Sequence, residues 1–598
     1  LPEDGSGDQH YQEFSWLVGA LSDSPTRERA GQLLASIRDA MLPGGDLSAG
    51  KAAKAELEQT LRTMMCRTER LAASEDREGM LTVAGTSVAL PRPQEVRGLK
   101  ESQVIARVVG ATDPFEYWRS VPYPLSFLDG YDVGRRCERA AEAGDAQLMS
   151  MLEATSALLP VDRIATYSKI DLGNAKMGEL VARLRRRGAF DVAWIPPSLP
   201  YYAPSGAFAK ADGLTKEIIF SAWRAVPRSI ATLVSYDFEQ RNAQAGDQYQ
   251  REWAQPLRWS INAGGRADAM SLLILMLPLP RLAALGDPLA VLRRMGSAPG
   301  VSLEVIRAQV RARIEAAIDF VPEAGGTDPR WYWVAPLLLE PDLARLIDGL
   351  GEVVNDRDAD QAAGGHQRHL EQARQVRALV PELRGFPEDL LDVLTDVALA
   401  APGVCAYRAL RRAAGAQVSE DDLAVGAHHV AEGLRSVFNR REIAAMLRAE
   451  EDPDTYRRLV LRHCVEGNLQ ATLDEYAHVL VEIEGLQQTT GAERVAQLAQ
   501  AMADAASAHT ATPRVVSYAH DGDAMKQEGV PVRTHIAARY GRETNSEQVE
   551  QTETNIQRSF NSPWWPFVLA TTSVGQEGFD FHPFCYGVVN WNLRSNPV

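Results

Sequence analysis

An α/β fold split by a long all-helical insertion is the class this sequence predicts, and three observations carry the prediction. Apolar runs at Glu217–Phe220, Phe567–Ala570 and Gly587–Val589 are short, bounded by turn residues, and read as buried strands. The first runs on into Ile230, Leu233, Val234 and Phe238 at helical spacing, which makes a strand–helix unit. Between residues 245 and 511, roughly 270 residues are patterned almost entirely as helix, far beyond an ordinary loop. The strand-forming parts flank this insertion, so the chain is mostly helical overall.

At 598 residues the chain exceeds what one core can serve and predicts roughly three or four domains. A net charge of −16 argues against a surface that is polyanion-binding throughout, yet leaves room for one local basic face. Cys66, Cys137, Cys405, Cys464 and Cys585 are scattered with no CxxC pair, which excludes a disulfide framework and predicts a reducing, cytoplasmic setting. The longest apolar run, Leu272–Leu277, ends at Pro278, well short of the ~20 residues of a membrane span, so no membrane is expected. The first residue is Leu, and the chain reads as a piece of something longer.

Taken in order, Ser24-Pro25 predicts a helix start with Ser24 as N-cap, and Pro43-Gly44-Gly45 a stop. A second helix is expected from about Ala52 to Arg70. The aromatic stretch from Phe115 to Tyr131 reads as a packed brace, followed by helical patterning over 135–158 and 174–187. Residues 190–215, with Trp194, Tyr201 and Tyr202 among prolines, read as a compact connection. In the insertion, Leu303, Ile306, Val310, Ile314 and Ala317 share one helix face. Val465, Leu469, Leu473, Tyr476, Leu480 and Ile483 mark another helix over 454–486. Strand character resumes at Val515–Tyr518 and His535–Tyr540, before a helix through Val549, Ile556 and Phe560. The runs at 567–570 and 587–589 are expected to be neighbouring strands. The loop leaving the first would lie at the carboxyl end of a parallel sheet, where α/β folds hold ligands.

That loop, Ala570-Thr571-Thr572-Ser573-Val574-Gly575-Gln576-Glu577-Gly578-Phe579-Asp580, resembles a motor motif in the second RecA-like domain of superfamily 2 helicases and translocases. The resemblance implies nucleic-acid contacts from Thr571, Thr572 and Ser573, and from Ser221 after the first strand. It likewise implies nucleotide contacts from Gly575, Glu577, Gly578 and Asp580. The chemistry is coherent: glycines permit close backbone approach, and a carboxylate accepts hydroxyl protons. Three further segments follow the family's order: Met65–Glu69, Lys216–Trp223, and Ala537–Gly541 with the helix ending Arg558-Ser559-Phe560-Asn561. Overall the chain is similar to large bacterial Snf-like helicase-related proteins, some associated with phage defence.

The resemblance implies the end of a first RecA-like domain over 1–112, a connector over 113–213, and a second RecA-like domain over 214–244 and 513–598, with 245–512 inserted. ATP and Mg2+ would serve a longer protein, DNA would be the partner, and the insertion is a candidate protein-binding arm. Several motifs point the other way. The one near match to a phosphate-cradling loop, Gly45–Ala52, follows a helix and lacks the Ser/Thr that would hold magnesium. Asp474-Glu475-Tyr476-Ala477-His478 matches an acidic box literally but lies within a helix, where a solvated face is expected. Arg594 is not expected to be an arginine finger. His366 and His369 read as surface residues and Cys464, beside His463, as core-facing. The basic clusters Arg183–Arg187, Arg408–Arg412 and Arg440–Arg441 are candidates for phosphate contacts or for solvated helix faces. No catalytic residue is expected within the chain. The alternative is a non-catalytic helical scaffold or regulatory subunit with a degenerate motor lobe.

Overall fold

The structure, a computed structural model, describes residues 10–40, 45–64, 90–244, 247–249, 253–297, 300–322, 325–357, 361–447, 453–508, 512–541, 547–572, 581 and 583–592. The chain divides into two compact units, one over residues 1–88 and one over 89–592.

The first unit is helical, with helices His10–Leu21, Ser24–Ala40 and Leu47–Arg62 closing on Val18, Ala30, Leu33, Ala53 and Leu57. Asp23, one residue earlier than expected, caps the second helix: its Oδ1 accepts from Thr26 N at 2.9 Å. Asp46 caps the third, accepting from Ser48 N at 2.8 Å and Ala49 N at 3.3 Å. Gly45–Ala52 is thus a helix start following a helix, with Lys51 exposed in its first turns. Met65–Glu69 and Arg594 lie outside the described residues.

The second unit is built on a four-stranded parallel sheet. Its strands are β1 (Lys216–Phe220), β4 (Ala537–Tyr540), β5 (Val568–Thr571) and β6 (Cys585–Asn590), in spatial order β4-β5-β1-β6. Glu217 lies opposite Val568 on one side and Gly587 on the other, so β1 separates the two runs expected to be neighbours. The reason is burial. Ile218 and Ile219 offer apolar side chains to both faces of the sheet, which suits an interior strand. In β6 alternate residues are exposed, Tyr586 at 79% and Val588 at 64%, so it is a half-solvated edge rather than the buried strand predicted.

Strand character at 515–518 is real but belongs elsewhere. Strands β2 (Arg514–Asp521) and β3 (Ala524–Pro531) form a separate antiparallel hairpin across the two-residue turn Gly522-Asp523, with Gly522 at φ +63°. The hairpin packs on helix Asp132–Glu142.

After β1, helix Ala225–Asn242 packs against β4 and β5 and is buried on every face through most of its length. From Ser271 to Ser507 the described chain is helical, with Leu303, Ile306, Val310 and Ile314 buried as the spacing predicts. The helix expected over 454–486 is two helices, Pro453–Glu466 and Leu469–Ile483, broken where Asn468 adopts φ +53°. Asn468 gains partners by the break: its Oδ1 accepts from Tyr201 N at 3.1 Å and its Nδ2 donates to Tyr202 O at 2.7 Å. A Cβ on Gly467 would meet the Phe208 and Trp194 rings at 2.5 to 2.6 Å, so the compact 190–215 connection presses into this joint. Ile483, beyond the last full turn of contact, is 43% exposed. Among the described residues one stretch, Leu390–Ala413, is long and apolar enough to cross a membrane. Its most apolar 18-residue window is 78% buried, and the stretch is broken at Ala401-Pro402.

Candidate functional site at the carboxyl edge of the sheet

The parallel arrangement carries the ends of β1, β5 and β6 to one edge, and the polar residues there interlock. Ser221 N donates to Thr571 O at 3.0 Å, while Trp591 N donates to Phe220 O at 2.8 Å, so backbone bonds continue past the strand ends. The Ser221 hydroxyl donates to Asn592 Oδ1 at 2.6 Å and accepts from Trp223 N at 3.1 Å. Asn592 Nδ2 in turn donates to the Ser120 hydroxyl, and Trp591 Nε1 to Ser120 O at 2.8 Å. Lys176, near the start of helix Ala175–Arg186, donates to Trp591 O at 2.9 Å. Burial and the nearby Arg119 both lower its pKa.

Three of the residues expected to touch nucleic acid therefore meet at this edge. Ser221 and Thr571 are buried and their hydroxyls face protein atoms, Thr571 Oγ1 donating to Thr572 O at 3.2 Å. Thr572 is half-buried and is the one of the three with a path to solvent. Ser573, Gly575, Glu577, Gly578 and Asp580 lie outside the described residues. Asn592, Ser120 and Lys176 were not singled out by the sequence. Only the fold brings residues from 120 to 592 together, and no spacing rule connects them.

The other motifs prove to be structural. Asp474 and Glu475 do not form a solvated face. Asp474 accepts from Tyr201 OH at 2.7 Å and pairs with Arg412. Glu475 accepts from Ser198 N at 2.8 Å, so both carboxylates hold the 190–215 connection. His366 and His369 are buried rather than superficial. His366 stacks between Trp259 at 4.2 Å and His428 at 4.9 Å, and His369 Nε2 lies 2.7 Å from Asp268 O. Burial, helped by the neighbouring histidines, pushes the His366 pKa down to about 2. His463 and Cys464 are core residues, as expected.

The basic clusters are engaged within the chain. Arg183 and Arg187 pair with buried Glu217, Arg185 with Asp237, and Arg186 with Glu179. Arg408 donates to Gln470 and to three carbonyls. Arg412 joins Asp287 and Asp474, and Arg440 donates to Ala506 O and Ala508 O.

The opposite, amino edge of the sheet holds a second polar cluster. Glu239, near the end of helix Ala225–Asn242, accepts from Arg533 Nη2 at 2.7 Å and from Tyr167 OH at 3.0 Å, both on Oε2. Arg533 also lies 3.9 Å over the Tyr249 ring, and its Nη1 donates to Tyr249 O at 2.8 Å. Glu442, in the first turn of helix Arg441–Met446, has His535 Nε2 at 3.1 Å and Arg533 Nε at 3.5 Å from its Oε1. Both carboxylates are almost wholly buried. Burial first, and then the Glu442 charge, raise the Glu239 pKa. Burial would raise Glu442 as well, but His535 and Arg533 outweigh it and draw its pKa down. At the same edge the buried Lys216 donates to Ser559 O at 2.8 Å and Trp564 O at 2.5 Å.

Fold and edges together define a mostly helical α/β protein with a small four-stranded parallel sheet. Comparison of the chain with protein-family models, with curated proteins and with solved structures finds no match.

Proposed function

We propose that the chain supplies the second motor lobe of an ATP-dependent DNA helicase or translocase of superfamily 2, with the helical region inserted into that lobe. One observation carries the reading. Parallel strands bring Ser221, Thr571, Thr572 and Asn592 to one carboxyl edge, beside Lys176 and immediately before residues 573–580 in sequence. Such edges are where α/β sheets hold ligands. In this reading Thr572 and Ser573 contact a nucleic-acid phosphate, with Ser221 and Thr571 bracing the strand ends beneath them. Gly575 and Gly578 admit the nucleotide to the backbone, and Glu577 and Asp580 accept its hydroxyl protons or those of a partner lobe. ATP with Mg2+ would supply the phosphoryl chemistry from a cleft whose phosphate-cradling loop lies outside these 598 residues, so the chain alone hydrolyses no ATP. The test uses the full-length protein. Thr572→Ala and Asp580→Ala are each expected to lower DNA-stimulated ATP hydrolysis about tenfold or more, the worth of one transition-state contact. Wild-type rates in both variants would reject the assignment.

A second reading, a non-catalytic helical scaffold with a degenerate motor lobe, draws on the internal engagement of the three arginine clusters. DNA affinity separates the two. A motor lobe that neutralises phosphates loses affinity steeply as salt rises, whereas a scaffold binds duplex DNA weakly at any salt.

A further inference from the structure

Among the described residues, Glu239, Glu442 and His535 each offer a ligand atom, and these atoms lie within 4.8 Å of one another. They come from three separate segments: the helix after β1, the helical insertion, and the chain returning to β4. Hydrogen bonding is incomplete at this point. Two buried carboxylates share the Arg533 guanidinium, whose Nη2 lies 2.7 Å from Glu239 Oε2 and whose Nε lies 3.5 Å from Glu442 Oε1. Arg533 and Tyr167 both approach Glu239 Oε2, while Glu239 Oε1 is buried without a hydrogen-bond partner. His535 Nε2 also lacks a hydrogen bond, although Glu442 Oε1 is 3.1 Å away. An unpartnered buried carboxylate oxygen costs free energy comparable to a lost hydrogen bond or more.

We propose that Glu239 Oε1, a Glu442 carboxylate oxygen and His535 Nε2 bind one divalent transition-metal ion of the zinc class. A divalent ion answers that deficit, giving a partner to the orphaned oxygen and to the imidazole nitrogen. The ligand set decides the class: imidazole nitrogen with two carboxylates suits zinc or cobalt, whereas calcium and magnesium favour oxygen-only shells. The ligand atoms need to draw together by about an ångström at most to reach bonds of ~2.0–2.2 Å around a common centre. His535, whose side chain is 20% exposed, opens the path from solvent. Arg533 donates to Glu239 Oε2 and lies 3.5 Å from Glu442 Oε1, and so orients both ligand carboxylates. The site clamps the root of the helical insertion to the sheet and is independent of the motor reading.

The test strips the purified 598-residue chain with a chelator and titrates it with Co2+, whose visible absorption reports nitrogen and oxygen ligation. Zn2+ then competes in calorimetry. One Co2+ per chain, displaced by Zn2+, is expected. Glu239→Gln, which keeps the shape and the Arg533 contact, and His535→Ala are each expected to weaken binding ~100-fold or more. The wild-type titration decides the matter even if a variant folds poorly: no stoichiometric Co2+ band overturns the site. Equal affinity in wild type and folded Glu239→Gln overturns it too, by moving the metal elsewhere.

Discussion

The two edges of the parallel sheet are built on opposite plans. At the carboxyl edge, hydroxyl, amide and indole groups satisfy one another beside the single ammonium of Lys176, and a hydrogen-bond relay runs from Ser221 through Asn592 to Ser120. At the amino edge, ionised groups meet in the interior, and Glu239 and Glu442 depend on Arg533 for compensation. Neutral networks are individually weak and replaceable. Buried charges are costly to bring together and far more costly to separate. The contrast teaches where a single substitution does most harm: at the edge where a charge would be left buried without its partner.

Removing Arg533 gives the largest expected effect. Arg533→Met leaves two carboxylates buried without their guanidinium and is expected to cost about 3–5 kcal/mol in urea unfolding. A cost below that of a carboxyl-edge substitution would invert the comparison. An acid titration then separates both edges from the helical region. Burial holds His366 and His463 neutral when folded, at about 2 and about 3, against 6.5 in the unfolded chain. Unfolded histidines take up protons as pH falls below 6.5 while the folded ones do not, so stability is intact above about pH 7. The loss is about 2 kcal/mol per histidine by pH 5. Stability unchanged between pH 7 and pH 5 would show that both rings are open to solvent. The smallest effect is expected at the carboxyl edge. Ser221→Ala removes one short hydrogen bond and leaves Asn592 Oδ1 short of a donor, for about 1–2 kcal/mol by the same unfolding measurement.

What the sequence made legible follows the reach of local pattern. Ile218-Ile219 and Val568–Ala570 are strands because contiguous apolar residues leave few other options. The face of Leu303, Ile306, Val310 and Ile314 is buried because helical spacing dictates it. The order of the strands was not legible, since β5 and β6 are adjacent in sequence yet flank β1 in space. The break at Asn468 was hidden for a similar reason. An apolar face continues across it, and only the aromatic connection at Trp194 and Phe208 forces the chain to turn. His366 and His369 read as surface residues because no acidic or cysteine partner stands at ligand spacing beside them, and Trp259 lies about a hundred positions away. Thr571 and Thr572 fall at a sheet edge as their loop suggested. Glu239, Glu442 and His535 had no common spacing to announce them.

The helix Ala225–Asn242 gives the two edges a shared mechanical fate. Near its start Arg228 pairs with Asp129 and donates to Phe127 O at 2.7 Å. Near its end Glu239 enters the charged cluster, and midway Ser235 Oγ accepts from His535 N at 3.2 Å. Eighteen residues span about 27 Å at helical rise, and packed neighbours on every side leave no slack in which to turn or slide. It is a strut gripped at both ends. Drawing the Glu239 carboxylate toward His535 therefore loads the same rod that seats Arg228 on the brace, and whatever tightens one edge of the sheet is borne by the other.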